Sequence, residues 1–391
     1  MSVSMSISVP ALGHGYYESD GDANSDAGSD LSETKTTLLD SSSAGDAAQQ
    51  LRLLSYNIHG WRDSDHVDNL ARVTELLRDT NADVVCLQEV LHPFKLPADP
   101  TAAAEYLERV KVNKGFNWQA EVEPCDAADT YLMKLSKAAG YPYVSWGVAH
   151  GIDNYFGAPF GNAILSRYPI VAEARLNLTP DAKFQQGRRL AAENRQLTTV
   201  KVDLPSGPQS FTVLHLDQLN DELRLEQLHE MLLFAEQFGP QILCGDFNSF
   251  ARADCDDVQW QRIVDDATSK GWPAPPETTR TRDEMEQRGY KDLFYCVDSA
   301  AEHPCDLSPV PKAVFDRVTP GATCWVKNPL IRIDYIYMSE SMRPSCSVLK
   351  YGRIIDDASD HFGVYVDLLL ASTAPASVGG SRRSSLGLAD I

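Results

Sequence analysis

The sequence predicts an α/β fold arranged as a four-layered sandwich, two packed mixed β-sheets flanked by helices. Two observations predict it. Runs of apolar and β-branched residues recur in both halves of the chain, and each group of runs has segments of helical spacing beside it. No internal repeat of solenoid period competes with this reading. At 391 residues the chain could hold several average domains, yet layered sandwiches run beyond about 250 residues as one unit. One large domain spanning residues 49–371, with an N-terminal tail (1–48) and a C-terminal tail (372–391), accounts best for the composition.

Taken in order, Leu51–Tyr56 and Asp83–Leu87 read as buried strands because their apolar runs are almost unbroken. Val67, Leu70, Val73, Leu76 and Leu77 recur at helical spacing between them. Residues 93–125 contain Pro93, Pro97, Pro100 and Gly115 and read as an irregular insertion over the site. A helix over Asp126–Ala139 and a strand over Tyr143–Val148 follow. Strands then dominate, at Gly161–Ser166, Val171–Asn177, Gln196–Val202 and Ser210–His215. After a helix over Asn220–Gln237 comes a strand at Gln241–Cys244. Ser249–Ile331 is a long variable region with helical pieces, and the last strands are Arg332–Met338, Cys346–Tyr351 and Gly363–Leu370.

Composition narrows the class. The first 48 residues hold eight acids and one lysine and few large apolar groups, so they cannot bury enough surface to offset the entropy of ordering and are read as disordered. The last 20, rich in Ser, Ala, Gly and Arg, form a second flexible tail. The net charge of −20 comes with no basic run, which weighs against tight non-specific binding to a long duplex and leaves room for a short or small substrate. Eight cysteines without a Cys-x-x-Cys pair, several inside strands, read as reduced and buried. No stretch resembles a signal peptide or reaches membrane-spanning length, so an intracellular protein, cytoplasmic or nuclear, is expected, with no stable membrane insertion.

Chemistry concentrates at strand ends. Ser55-Tyr56-Asn57-Ile58-His59, Leu87-Gln88-Glu89-Val90, Gly245-Asp246-Phe247-Asn248, Arg332-Ile333-Asp334-Tyr335 and Ser359-Asp360-His361 each place an amide, a carboxylate or an imidazole beside an apolar run. Ends of separate strands can converge, which is the construction a metal-dependent site needs. A carboxylate at Glu89 is costly unless paired, metal-bound or solvated. Asp246 and Asn248 share a face if strand geometry persists, whereas the adjacent Asp360 and His361 would point apart and serve separate roles.

These five strings, in this order, resemble the endonuclease/exonuclease/phosphatase superfamily, whose fold is that of deoxyribonuclease I, over about residues 49–371. The resemblance implies a hydrolase of phosphoester bonds that uses Mg²⁺, with Mn²⁺ as the alternative cation. It assigns the cation to Glu89, with Asn57, directly or through water, and Asp360 assisting. It assigns Asp246 to the attacking water, Asn248 to a phosphate oxygen, and His361, held by Asp334, to the scissile phosphate. His215, ending Phe211-Thr212-Val213-Leu214, matches a second phosphate-binding histidine, and Asn162 lies in a Gly-Asn-Ala-Ile-Leu-Ser string similar to the family's.

Further substrate-binding candidates come from residue type alone. Arg188 and Arg189 offer guanidinium groups to a phosphate, and Trp325 offers a stacking face. The first, third and fourth strings are similar to those of deadenylase-type nucleases, and the second and last to those of tyrosyl-DNA phosphodiesterases. A phosphodiester of nucleic-acid or nucleotide type is therefore the expected substrate, ahead of a phospholipid or inositol phosphate. A non-catalytic scaffold of the same fold is the contrasting class. Protein partners are not indicated by the sequence.

Overall fold

In a computed structural model of the full chain, the described residues are 48–112, 127–150, 157–178, 193–218, 220–271, 275, 277–296 and 321–372. They form two six-stranded mixed sheets. The first contains β1 (Gln49–Asn57), β2 (Val84–Leu91), β3 (Tyr143–His150), β4 (Phe160–Ser166), β11 (Cys346–Ile354) and β12 (Gly363–Leu370), ordered β11-β12-β1-β2-β4-β3. The second contains β5 (Ile170–Leu178), β6 (Arg195–Leu204), β7 (Gly207–His215), β8 (Gln241–Asp246), β9 (Tyr290–Asp292) and β10 (Asp334–Ser339), ordered β5-β6-β7-β8-β10-β9. Each sheet has one parallel pair at its centre, β1 with β2 and β7 with β8, and antiparallel neighbours outside.

Strand alternation builds the layers. Leu51 and Leu53 face the second sheet and pack with Val84, Cys86, Val213, Ile242, Cys244 and Ile336. Their neighbours Leu54 and Tyr56 face outward, against Val73 and Leu77 of α1 (Leu70–Thr80) and the layer containing Leu132 and Leu135. Because both faces of the central strands are covered, these strands read as continuous apolar runs. An interior side chain such as Leu53, fully buried, would cost about 2–5 kcal/mol on truncation to alanine.

Helices close both outer faces. Among them are α2 (Pro100–Lys111), α3 (Tyr131–Ala139), α4 (Asp221–Ala235) and α6 (Arg280–Gln287), while α5 (Asp257–Ser269) packs Ile263 against Leu330, Ile331 and Ile333. The α4 helix starts where the Asn220 side chain accepts from the backbone N–H groups of Glu222 (2.8 Å) and Leu223 (3.1 Å). Its Leu228, Met231, Leu232 and Ala235 then bury against Leu197, Leu214 and Leu243 of the second sheet.

Several expectations need correction. The 93–125 segment is not wholly irregular: α2 forms because Asp99 caps the Ala102 N–H at 2.9 Å and Pro100 sits at the first turn, where its missing N–H has no cost. The helix expected from Asp126 begins at Tyr131, after a short turn of 3-10 type at Ala127–Asp129. The strand expected from Arg332 begins at Asp334. The 1–47 and 373–391 parts of the two expected tails lie outside the described residues. No helix among the described residues is long and apolar enough to cross a membrane.

Candidate active site

The two parallel strand pairs end at the same edge of the sandwich. Asn57, the last residue of β1, pairs with Gln88, and His215, the last of β7, pairs with Asp246, the last of β8. The β10 strand runs antiparallel to β8, so its first residue, Asp334, also lies opposite Asp246. Four strands thus deliver side chains to one place without a long loop. The approach of β8 to β7 is close: a Cβ on Gly245, whose φ is +147°, would stand 1.9 Å from the Leu214 carbonyl oxygen, so glycine is required beside Asp246.

Backbone irregularity aims the remaining groups. The register of β2 against β4 shifts between Leu87 and Val90, and Glu89 within that bulge has φ 56°. His59 (52°), Asn248 (48°) and Trp325 (52°) are also left-handed. Such conformations are unfavourable for residues with a Cβ, and their gathering around one edge marks a site held in place by its surroundings. Asn248 therefore reaches the cleft through a left-handed turn after β8 has ended, not through strand alternation as expected. Asp360 and His361 likewise precede β12, and instead of pointing apart they enter one polar cluster.

Hydrogen bonds join the two sheets here. The Asn57 Nδ2 donates to Glu89 Oε1 at 3.2 Å and to Asp246 Oδ2 at 3.1 Å, while its Oδ1 accepts from the His59 N–H at 3.0 Å. In this arrangement Asn57 bridges two carboxylates of opposite sheets. Asp246 Oδ1 accepts from the Asn248 N–H at 2.8 Å. The Asn248 amide Nδ2 lies 3.0 Å from His215 Nε2 and donates to the Leu216 carbonyl at 3.0 Å. His361 Nδ1 is 2.9 Å from Asp334 Oδ2, and its Nε2 faces Asp246 Oδ2 at 3.7 Å and Cys324 Sγ at 3.6 Å.

Burial sets the charges. Glu89 is pushed up to about 7 by burial and then by Asp360, and its Oε2 is buried without a hydrogen-bond partner. Asp246 is also pushed up to about 7, by burial and, against the pull of His361, by Asp334. Among the described residues neither carboxylate has a lysine or arginine ion-pair partner; the imidazoles beside Asp246 are those of His215 (3.6 Å) and His361 (3.7 Å). Burial opposes charge on His361, yet its contacts with Cys324 and Asp334 hold the ring well above the ordinary imidazole range. The Cys324 thiol, itself raised to about 11 by burial, is neutral, so Asp334 supplies the charge that stabilises the imidazolium. His59 is driven the other way, down to about 3, by burial, against the pull of Asp360 and with Arg62 and His66 adding to the fall.

The expected residues divide clearly. Asn57, Glu89, His215, Asp246, Asn248, Asp334 and His361 form the connected cluster, and Asp360 lies at its rim with its side chain 32 % exposed and 3.7 Å from His59. Trp325 joins the rim, since the next N–H, of Val326, donates to the Asp360 carbonyl and Lys270 Nζ lies 4.9 Å over the indole. Asn162 is 2 % exposed and donates to the Gln196 carbonyl at 2.7 Å, linking β4 to β6. Arg188 and Arg189 fall outside the described residues. Sequence reasoning passed over His59 and Cys324. The first lies two residues beyond Asn57 in the first string; for the second no local signal existed.

The endonuclease/exonuclease/phosphatase family matches residues 54–361. Among solved structures, an endonuclease/exonuclease/phosphatase from Beutenbergia cavernae is 22 % identical, covering 82 % of this chain and 72 % of its own, with a TM-score of 0.53. Family proteins from Bacteroides thetaiotaomicron (17 % identical, 83 % and 99 % covered, TM-score 0.50) and Leptotrichia buccalis (17 %, 81 % and 98 %, TM-score 0.50) share the same fold. No protein of curated function matches the sequence. With five motif strings converging on one edge of the two-sheet sandwich, the chain belongs to the endonuclease/exonuclease/phosphatase family of phosphoester-hydrolysing enzymes.

Proposed function

We propose that the protein hydrolyses a phosphodiester of nucleotide type by in-line attack of water, with a divalent cation, Mg²⁺ or Mn²⁺, as cofactor and with residues 49–371 as the catalytic domain. The observation that carries the proposal is the pair of buried carboxylates, Glu89 and Asp246, brought from opposite sheets onto one amide and left without a lysine or arginine partner among the described residues. Two acids so placed repel each other and lose hydration, a cost that a bound cation removes. The buried, unbonded Oε2 of Glu89 fits that role, and Asp360 offers a second oxygen at the rim. Asp246, Asp334 and His361 also lie within reach of one another. The Asp334 bond and the raised basicity of His361 favour a charged ring there, and an imidazolium has no lone pair for a metal.

The chain's own groups then divide the reaction. Asp246, at about 7, is suited to orient a water and take its proton near neutral pH. His361, kept charged by Asp334, faces the phosphoryl oxygens and stabilises the charge that grows on them. His215 and Asn248 form the opposite wall, and Asn57 fixes the spacing of Glu89 and Asp246. A cation held by Glu89 and Asp360 would neutralise charge developing on the phosphoryl oxygens. The half-buried Trp325 gives a base or aromatic leaving group a face to stack on. The strong negative charge and lack of a basic run favour a short substrate over a long duplex.

Hydrolysis of bis-(p-nitrophenyl) phosphate with and without Mg²⁺, by wild type and Glu89→Gln, tests the reading. Cation-dependent turnover is expected in the wild type, with a loss of at least about a hundredfold in the variant. Turnover of the variant near the wild-type rate at sub-saturating Mg²⁺ would remove the cation from Glu89. A panel of single-stranded DNA, RNA, tyrosyl-DNA, inositol phosphates and sphingomyelin then ranks the substrates, and inactivity on all would favour the scaffold.

A further inference from the structure

We propose that His59 is a nitrogen donor to the cation site, so that the site prefers first-row transition cations over Mg²⁺. The inference rests on the cation reading above and extends it to a residue outside the oxygen set. His59 is 6 % exposed and its Nδ1 is buried without a hydrogen-bond partner. That nitrogen stands 3.7 Å from Asp360 Oδ1, too far for a hydrogen bond yet close to the separation of two donors that share one small cation at about 2.0–2.2 Å each.

The placement is built rather than incidental. His59, Gly60 and Trp61 are three consecutive left-handed residues, with φ 52°, 60° and 65°. The loop is pinned on several sides. Asn69 Nδ2 donates to the Ile58 (3.0 Å) and Ala358 (2.7 Å) carbonyls, Trp61 Nε1 to the Leu91 carbonyl (2.9 Å), and Arg62 Nε to the His59 carbonyl (3.2 Å). Asn57 Oδ1 and the Asn57 carbonyl hold the two partners in register, the first by accepting the His59 N–H and the second by accepting Ser359 Oγ at 2.7 Å, one residue before Asp360. A strained turn tied down this firmly, ending in an unbonded imidazole nitrogen aimed at a carboxylate, is what a metal donor requires and what a packing histidine does not.

Donor chemistry gives the consequence. Carboxylates alone suit Mg²⁺, whereas imidazole raises affinity for first-row cations in the order Mn²⁺ below Co²⁺. The test uses the full chain. Calorimetric titration with Mg²⁺ and Co²⁺ is run on wild type, His59→Ala, His59→Asn and Glu89→Gln, and pulsed EPR of the Mn²⁺ complexes of wild type, His59→Ala and His361→Ala looks for coupling to an imidazole nitrogen. Circular dichroism and thermal midpoints confirm that each variant is folded. Expected are tighter Co²⁺ than Mg²⁺ binding in the wild type, an about tenfold or greater loss of Co²⁺ affinity in both His59 variants with Mg²⁺ affinity nearly unchanged, and nitrogen coupling that disappears in His59→Ala but survives in His361→Ala.

Coupling that persists in His59→Ala, or equal losses for both cations, overturns the assignment of His59 while leaving the cation at Glu89. Normal binding in Glu89→Gln, or no binding by the wild type, overturns the cation reading itself and this inference with it.

Discussion

Two buried charge clusters grow from one short string, Arg332-Ile333-Asp334, and they are built on opposite plans. Arg332, with its side chain 3 % exposed, bonds Asp254 at 2.9 Å and Asp292 at 2.6 Å and stacks over Tyr335 (4.3 Å) and Phe294 (4.6 Å). Arg282 and the hydroxyls of Tyr295 and Tyr335 complete the shell of Asp254. Burial works against the Asp254 charge, but Arg332, Tyr295 and Arg282 hold its carboxyl below the usual range. Two residues on, Asp334 enters a cluster where Glu89 and Asp246 are pushed up to about 7. Both sets of carboxyls are buried and shift in opposite directions because their partners differ: Asp254 faces arginines, whereas Glu89 and Asp246 face other carboxylates that outnumber the one imidazolium.

The largest effect expected from that contrast is on stability. Arg332→Met keeps most of the side-chain volume but leaves Asp254 and Asp292 buried beside each other's charge, so unfolding free energy should fall by about 3–5 kcal/mol, the usual cost of removing one partner of a buried pair. Urea titration measures it. Cation affinity of the folded variant should stay at the wild-type value, and a matching loss of affinity would mean that the two clusters are one unit.

Next in size is catalysis. His361→Ala should lower kcat by at least about a hundredfold, the loss typical of removing one preorganised charge-stabilising group. Asp334→Asn should cost less, because the ring remains but loses the 2.9 Å bond that orients it and favours its charge. Because the two act through one ring, the double variant should fall little below His361→Ala alone. Strict additivity of the two losses would break the pairing.

The contrast between the clusters also explains what was readable in the sequence. The active-site strings could be read because each of Asn57, Glu89, His215 and Asp246 lies at or near the end of an apolar strand, and parallel central pairs must bring such ends together. The Arg332 cluster could not, since its partners stand 78 and 40 residues earlier in a region without strand periodicity, and only the tertiary fold joins them. Rotation within the site was also hidden. The left-handed turns at Glu89 and Asn248 re-aim their side chains against the two-residue alternation that strand reasoning assumes. Asn162 sits in a family-like string, but strand β4 lies inside the sandwich and turns the amide toward the Gln196 carbonyl. The α2 helix was concealed by prolines that, in one case, serve as its first turn.

The smallest expected effect, and the most direct comparison of the two plans, is the pH dependence of stability without added metal. A carboxyl raised from 4.5 to about 7, as at Glu89, binds more protons folded than unfolded in that interval. Its contribution to stability is therefore fully present below about 4.5 and is lost as pH rises through about 7. Asp246 acts with the same sign. Buried His59, pushed down to about 3, acts with the opposite sign, adding stability above its ordinary 6.5 that is lost as pH falls toward 3, so the raw slope of the wild type mixes the two. A difference between variants separates them. Glu89→Gln removes one raised carboxyl and leaves His59 in place, so its thermal midpoint should equal that of the wild type near pH 4 and exceed it increasingly as pH rises through about 7. Saturating Mg²⁺ at pH 8 should raise the wild-type midpoint and not that of the variant, because ligand linkage requires the donor. A midpoint difference that is flat with pH would mean that Glu89 is not held in the strained, uncompensated state that sets this cluster apart from the one around Arg332.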